Sequence, residues 1–144
     1  MNKTKTIGLT ILLSLIALAA GCGGGSGTAT EGDMNEIAAK KVNDNLTVTL
    51  MSTDGKLKNG QQEIILAFTD GAGKPVDIKA ATLNFNMPAM GSMAEMNNAA
   101  ELTTTGIAGK FKGKLNIEMA GDWTAQIKYE GAETGETTIS TKAQ

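Results

Sequence analysis

From Leu46 onward the chain alternates apolar and polar residues with a period of two, in short stretches. "LTVTL" puts Leu46, Val48 and Leu50 on one face, and "EIILAF" does the same for Ile64, Leu66 and Phe68. "FKGKLNIEM" aligns Phe111, Leu115, Ile117 and Met119, and "WTAQIKY" aligns Trp123, Ala125, Ile127 and Tyr129. Each pattern predicts a strand with one buried face and one wet face. Between 76 and 87 the alternation changes phase: Val76, Ile78 and Ala80 share one phase, while Ala81, Leu83, Phe85 and Met87 share the other. A bulge, or a strand crossing between sheets, is expected at Ala80–Ala81. "DGAGKP" and "KNGQ" carry turn chemistry, because Gly and Asn accept positive φ. About seven short strands with regular turn signals predict an all-β domain, a two-layer β-sandwich. Trp123, Phe111, Leu115 and Ile127 are expected in one buried layer, with Trp123 near its centre. "DMNEIAAKKV" departs from the strand pattern; Asp33 and Glu36 stand at capping-box spacing and predict a short helix.

The N-terminus is patterned differently. Lys3 and Lys5 precede an apolar run from Ile7 to Ala20, which ends in small residues before Cys22. This is the layout of a secretory signal, and the run is short for a membrane span. "LAAGC" resembles a bacterial lipobox, whose cysteine takes lipid and becomes the mature N-terminus; the other reading is an ordinary signal peptide cut near Gly21. A single cysteine suits acylation better than a disulfide. The following "GGGSGTATEGD" reads as a flexible tether. The expected organisation is a signal peptide over 1–21, a lipid-anchored tether with a possible short helix over 22–43, and one β-domain over 44–142. The expected location is the cell envelope, on a membrane outside the cytoplasm.

Composition narrows the chemistry. Removing residues 1–21 takes two of the 13 basic residues and none of the 15 acids, so the mature chain is more acidic than the formal −2 of the whole. All 13 are lysine, which argues against nucleic acid and against a polybasic grip on anionic lipid. There is no histidine, hence no imidazole acid, base or triad. "GAGKP" lacks the spacing of a phosphate loop. The carboxylates lie at turns and outward strand positions, and no enzyme is expected.

Eight methionines are present, and "MPAMGSMAEM" places four of them, Met87, Met90, Met93 and Met96, at intervals of three. A thioether is a soft, neutral donor that suits Cu(I) and, by extension, Ag(I). It needs no deprotonation and does not oxidise to a disulfide outside the cytoplasm. On an α-helix a step of three drifts around the axis; on a three-residue-per-turn backbone, or in a curled loop, three sulfurs can converge. Met90, Met93 and Met96 are the leading ligand set, because Met87 continues the buried phase of Leu83 and Phe85. Flexible packing, or an apolar contact with a protein partner, is the other reading of the same residues.

Four elements in order carry a family resemblance: "D-x-x-G-K-P-V" at Asp70–Val76, "M-P-x-M" at Met87–Met90, "G-x-F-x-G" at Gly109–Gly113 and "M-A-G-D-W" at Met119–Trp123. Across roughly residues 44–131 the chain resembles the YtkA-like domain, close to the FixH-like group. The resemblance implies an immunoglobulin-like sandwich outside the cytoplasmic membrane, linked with heavy-metal transport or respiratory oxidase maturation. Members of that family often carry a histidine near the methionine loop; this chain has none. The function expected is a membrane-anchored lipoprotein that binds or passes Cu(I) or Ag(I). The alternative is a non-catalytic module that docks onto a membrane transport or respiratory complex without metal.

Overall fold

In the computed structural model, residues 33–144 are described, and they form eight antiparallel strands with no helix. The predicted signal peptide, Cys22 and the glycine-rich tether lie outside the described residues. The strands are β1 (Asn35–Asn43), β2 (Leu46–Ser52), β3 (Gly60–Thr69), β4 (Ile78–Met87), β5 (Met96–Thr104), β6 (Lys110–Ile117), β7 (Gly121–Gly131) and β8 (Gly135–Ala143). They follow the order β1-β2-β3-β6-β5-β4-β7-β8 in one nearly closed sheet. The two outer strands approach each other: Lys40 Nζ on β1 donates to the Thr138 carbonyl on β8 at 2.9 Å, and Asn43 Nδ2 at the end of β1 donates to Glu133 Oε2 in the β7–β8 turn at 2.9 Å.

β5 is shared between neighbours along its length. Its first half, Met96–Ala100, pairs with β4, and its second half, Glu101–Thr104, pairs with β6. Where β5 leaves β6, the buried Asn98 side chain donates to the Asn116 carbonyl of β6. That bond satisfies an acceptor the ladder no longer reaches.

The helix expected over "DMNEIAAKKV" is not formed. Asn35–Asn43 is strand β1, paired along β2 with two irregularities in register. Alanine and lysine are good helix formers, but intrinsic propensity is a weak force beside tertiary pairing. Pairing with β2 overrides that preference, and Ile37, Ala38 and Val42 pack against the core. The strand count is eight rather than about seven. The phase slip in β4 is a bulge: Ile78 pairs with Gly131 and Ala80 with Glu130, which leaves Lys79 as the extra residue. It falls one or two residues before the point where the alternation breaks.

The core is continuous. Trp123 is 1% exposed, and Phe111, Leu115 and Ile127 are buried in the same cluster as Phe68, Phe85 and Met87. Phe68 and Phe111 meet edge to face, with centroids 6.0 Å apart and planes at 87°. Such a pair contributes about 0.5–1.5 kcal/mol beyond its area burial.

Candidate functional site

The stretch "MPAMGSMAEM" is a β-hairpin. β4 ends at Met87 and β5 starts at Met96, and these two residues pair. Nearer the tip Met90 and Met93 form an isolated antiparallel bridge. The Met90 amide donates to the Met93 carbonyl at 3.2 Å, and the Met93 amide donates to the Met90 carbonyl at 2.9 Å. Only Gly91 and Ser92 lie between them. Gly91 has φ +59°, the positive value that the first position of a two-residue hairpin turn demands. The central interval, from Met90 to Met93, therefore has a simple origin: a two-residue turn sets residues i and i+3 opposite one another.

The four thioethers have different environments. Met87 is 1% exposed, and its methyl would lie 2.7 Å from a Cβ on Gly121. Met96 is half-buried and packed against the core. Met90 and Met93 are 53% and 39% exposed; with Ile107 they are the exposed large apolar side chains among the described residues. Ile107 lies in the β5–β6 connection, at the opposite end of the sheet. The hairpin thus brings Met90 and Met93 together in solvent and turns Met87, with most of Met96, toward the interior.

Polar groups at the base of the hairpin hold it in register. Glu95, the one charged residue in the stretch, accepts from Asn86 Nδ2 and, at 3.4 Å, from Asn97 Nδ2. Asn97 Oδ1 accepts from Asn86 at 3.0 Å and from Asn84 at 3.1 Å, and Asn84 also donates to Gln126 Oε1 at 3.1 Å. These amides form a ladder across β5, β4 and β7. The tip itself, residues 88–94, carries no charge. Met119 joins the same end of the sheet in the β6–β7 connection, half-buried, with its carbonyl accepting from Trp123 Nε1 at 3.1 Å.

The other quoted motifs are architectural. Asp70 Oδ1 accepts from the amides of Ala72 and Lys74, both at 2.8 Å, and closes the β3–β4 loop on itself. The Lys74 amide is the main reason its carboxyl is held below the ordinary carboxylate value; the Ala72 amide and the Lys74 ammonium add to this, and desolvation opposes it. Gly109 has φ +64°, and a Cβ there would collide with the Val76 carbonyl oxygen. A Cβ on Gly113 would stand 2.8 Å from Leu102 Cδ2. Asp122 is the second residue of β7, beside the buried Trp123. Among the described residues no group of three or more His, Cys, Asp or Glu could hold a metal ion. Any soft-ion site here would therefore have to be built from thioethers.

The sequence profile of the YtkA-like family matches residues 40–128. The chain belongs to the YtkA-like family. The matched part of this YtkA-like domain runs from within β1 to within β7 and includes the whole methionine hairpin. No curated protein and no solved structure matches the chain.

One signal for the hairpin was present in the sequence. Gly-Ser between two methionines is a two-residue turn dipeptide. The amide ladder and the place of Met119 carried no such signal, since both depend on strand register.

Proposed function

We propose that the protein is an envelope lipoprotein, held by acylated Cys22, whose hairpin binds or passes Cu(I) or Ag(I). The observation that carries this reading is the paired exposure of Met90 and Met93 on an uncharged tip. The donor set fits a soft monovalent ion: both groups are neutral thioethers, and no imidazole exists in the chain to recruit harder metals. The family's association with heavy-metal transport and oxidase maturation points the same way. A two-layer, immunoglobulin-like reading of the sheet is supported by the way β5 divides its pairing between β4 and β6.

The test is a competition titration of Cu(I) against a chromophoric chelator. It uses the full chain carrying Cys22→Ser, so that no thiolate competes. Uptake should be lost in the Met90→Leu/Met93→Leu variant and should depend little on pH near neutrality, because a thioether has no proton to displace. Equal uptake by parent and variant would end the metal reading. A second reading has its own support, since the two methionines are also exposed apolar groups. In that reading the tip is a contact surface through which a non-catalytic module docks on a membrane transport or oxidase-assembly complex.

A further inference from the structure

We propose that the hairpin tip is half of a soft-metal site, completed by the Met90 and Met93 pair of a second copy of this chain. The inference rests on the metal reading above and goes beyond it by naming where the remaining ligands come from.

The argument begins with the donor count. A neutral thioether donates weakly, so a soft monovalent ion held by thioethers alone gathers three or four of them. The tip offers two in the open. Met87 is committed to the core against Gly121, Met96 is paired with Met87 and packed on the same core, and Met119, at the same end of the sheet, also packs against that core. Turning any of these three sulfurs outward would give up core packing. The described part of the chain therefore leaves the site incomplete.

A second tip supplies what is lacking. Met90 and Met93 face each other across a two-residue turn at the tip of the hairpin, so a two-fold axis through the ion would bring four thioethers together as two symmetry-related pairs. Such a contact is self-complementary, the same patch meeting itself. Electrostatics permit the approach: residues 88–94 are uncharged, and Glu95 is engaged by Asn86 and Asn97 at the hairpin base. The apolar area of two half-exposed methionines is far below the roughly 1,200–2,000 Å² that a stable interface buries. The chain should consequently remain monomeric until the ion arrives.

The test is native mass spectrometry of the full chain carrying Cys22→Ser, titrated with Ag(I) as a redox-inert probe. Below half an equivalent, the expected species is two chains with one Ag(I), growing at the expense of the metal-free monomer. The Met90→Leu/Met93→Leu variant, checked for unchanged far-UV circular dichroism, should lose that species. A saturable complex of one Ag(I) with one chain, with no two-chain species, would overturn the inference and leave the metal reading intact. Absence of Ag(I) uptake by the parent would overturn both.

Discussion

Replacing Trp123 with alanine tests the core at its largest side chain. The indole is 1% exposed and lies in the cluster that includes Phe111, Leu115 and Ile127. Truncating a buried aromatic to alanine costs about 3–5 kcal/mol, part transfer and part cavity. The Nε1–H donated to the Met119 carbonyl adds a further term, on the order of 1 kcal/mol. A domain of this size has a total stability of about 5–15 kcal/mol, so Trp123→Ala should leave it marginal or unfolded at 37 °C. Trp123→Phe separates the two terms. It keeps most of the ring and loses the donor, and should cost about 1–2 kcal/mol. Trp123 is the chain's single tryptophan, so unfolding must be followed by far-UV circular dichroism in urea rather than by fluorescence. The slope of stability against urea should stay constant across the series. A loss below about 1 kcal/mol for Trp123→Ala would refute the placement of this side chain at the centre of the core.

Other perturbations probe other parts of the molecule. Gly109→Ala forces a Cβ into the left-handed region and onto the Val76 carbonyl; it should cost at least about 1–3 kcal/mol, and an unchanged Tm would contradict that close approach. Under limiting hydrogen peroxide, peptide mapping should show sulfoxide at Met90 and Met93 well before the buried Met87; equal rates would mean that the hairpin does not pack as described. The lowered Asp70 carboxyl stabilises the fold above its ordinary value of 3.8, and that contribution fades as pH falls through the lower folded-state value. Asp70→Asn should accordingly lower Tm at neutral pH and converge on the parent in acid, whereas a gap constant from pH 7 to pH 2 would assign the effect to something other than the charge.

The strands legible in the sequence were those with a strong apolar face: β2, β3, β6 and β7, together with the bulged β4. Each places several large residues at alternate positions, and burial then follows period two. β1, β5 and β8 lacked that signal. β1 holds Ala-Ala-Lys-Lys, which favours helix, and only Ile37, Ala38 and Val42 turn inward. β5 is "MNNAAELTT", with asparagine where strands prefer branched side chains, and its Asn98 points inward as a hydrogen-bond donor. β8 buries Thr137, Ile139 and Ala143 among polar residues. These strands exist because stronger neighbours present open edges, a condition no local window contains. The methionine spacing was legible as an anomaly. The stretch is a hairpin, neither a threefold backbone nor a loop curled to gather three sulfurs, and that reduces the exposed donors from three to two.

The last perturbation decides what the tip is for. The family motifs at Asp70, Gly109, Gly113 and Gly121 all serve packing or turn geometry, and Met87 does too. The backbones of Met90 and Met93 close the turn, but their side chains serve neither and face outward. As an apolar patch the pair is small, less than the few hundred Å² that ordinary monomers expose. As soft donors the two sulfurs are distinctive in a chain without histidine. Leucine keeps the size and apolarity of methionine and deletes the sulfur, whereas serine removes both. A strain whose own copy encodes Met90→Leu/Met93→Leu should therefore respond to silver, and to copper limitation, as the Met90→Ser/Met93→Ser strain does. Protein levels should be equal in both, because neither side chain supports the core. If leucine instead restores the parental response and serine does not, apolarity is what matters, and the tip docks on a protein without carrying metal.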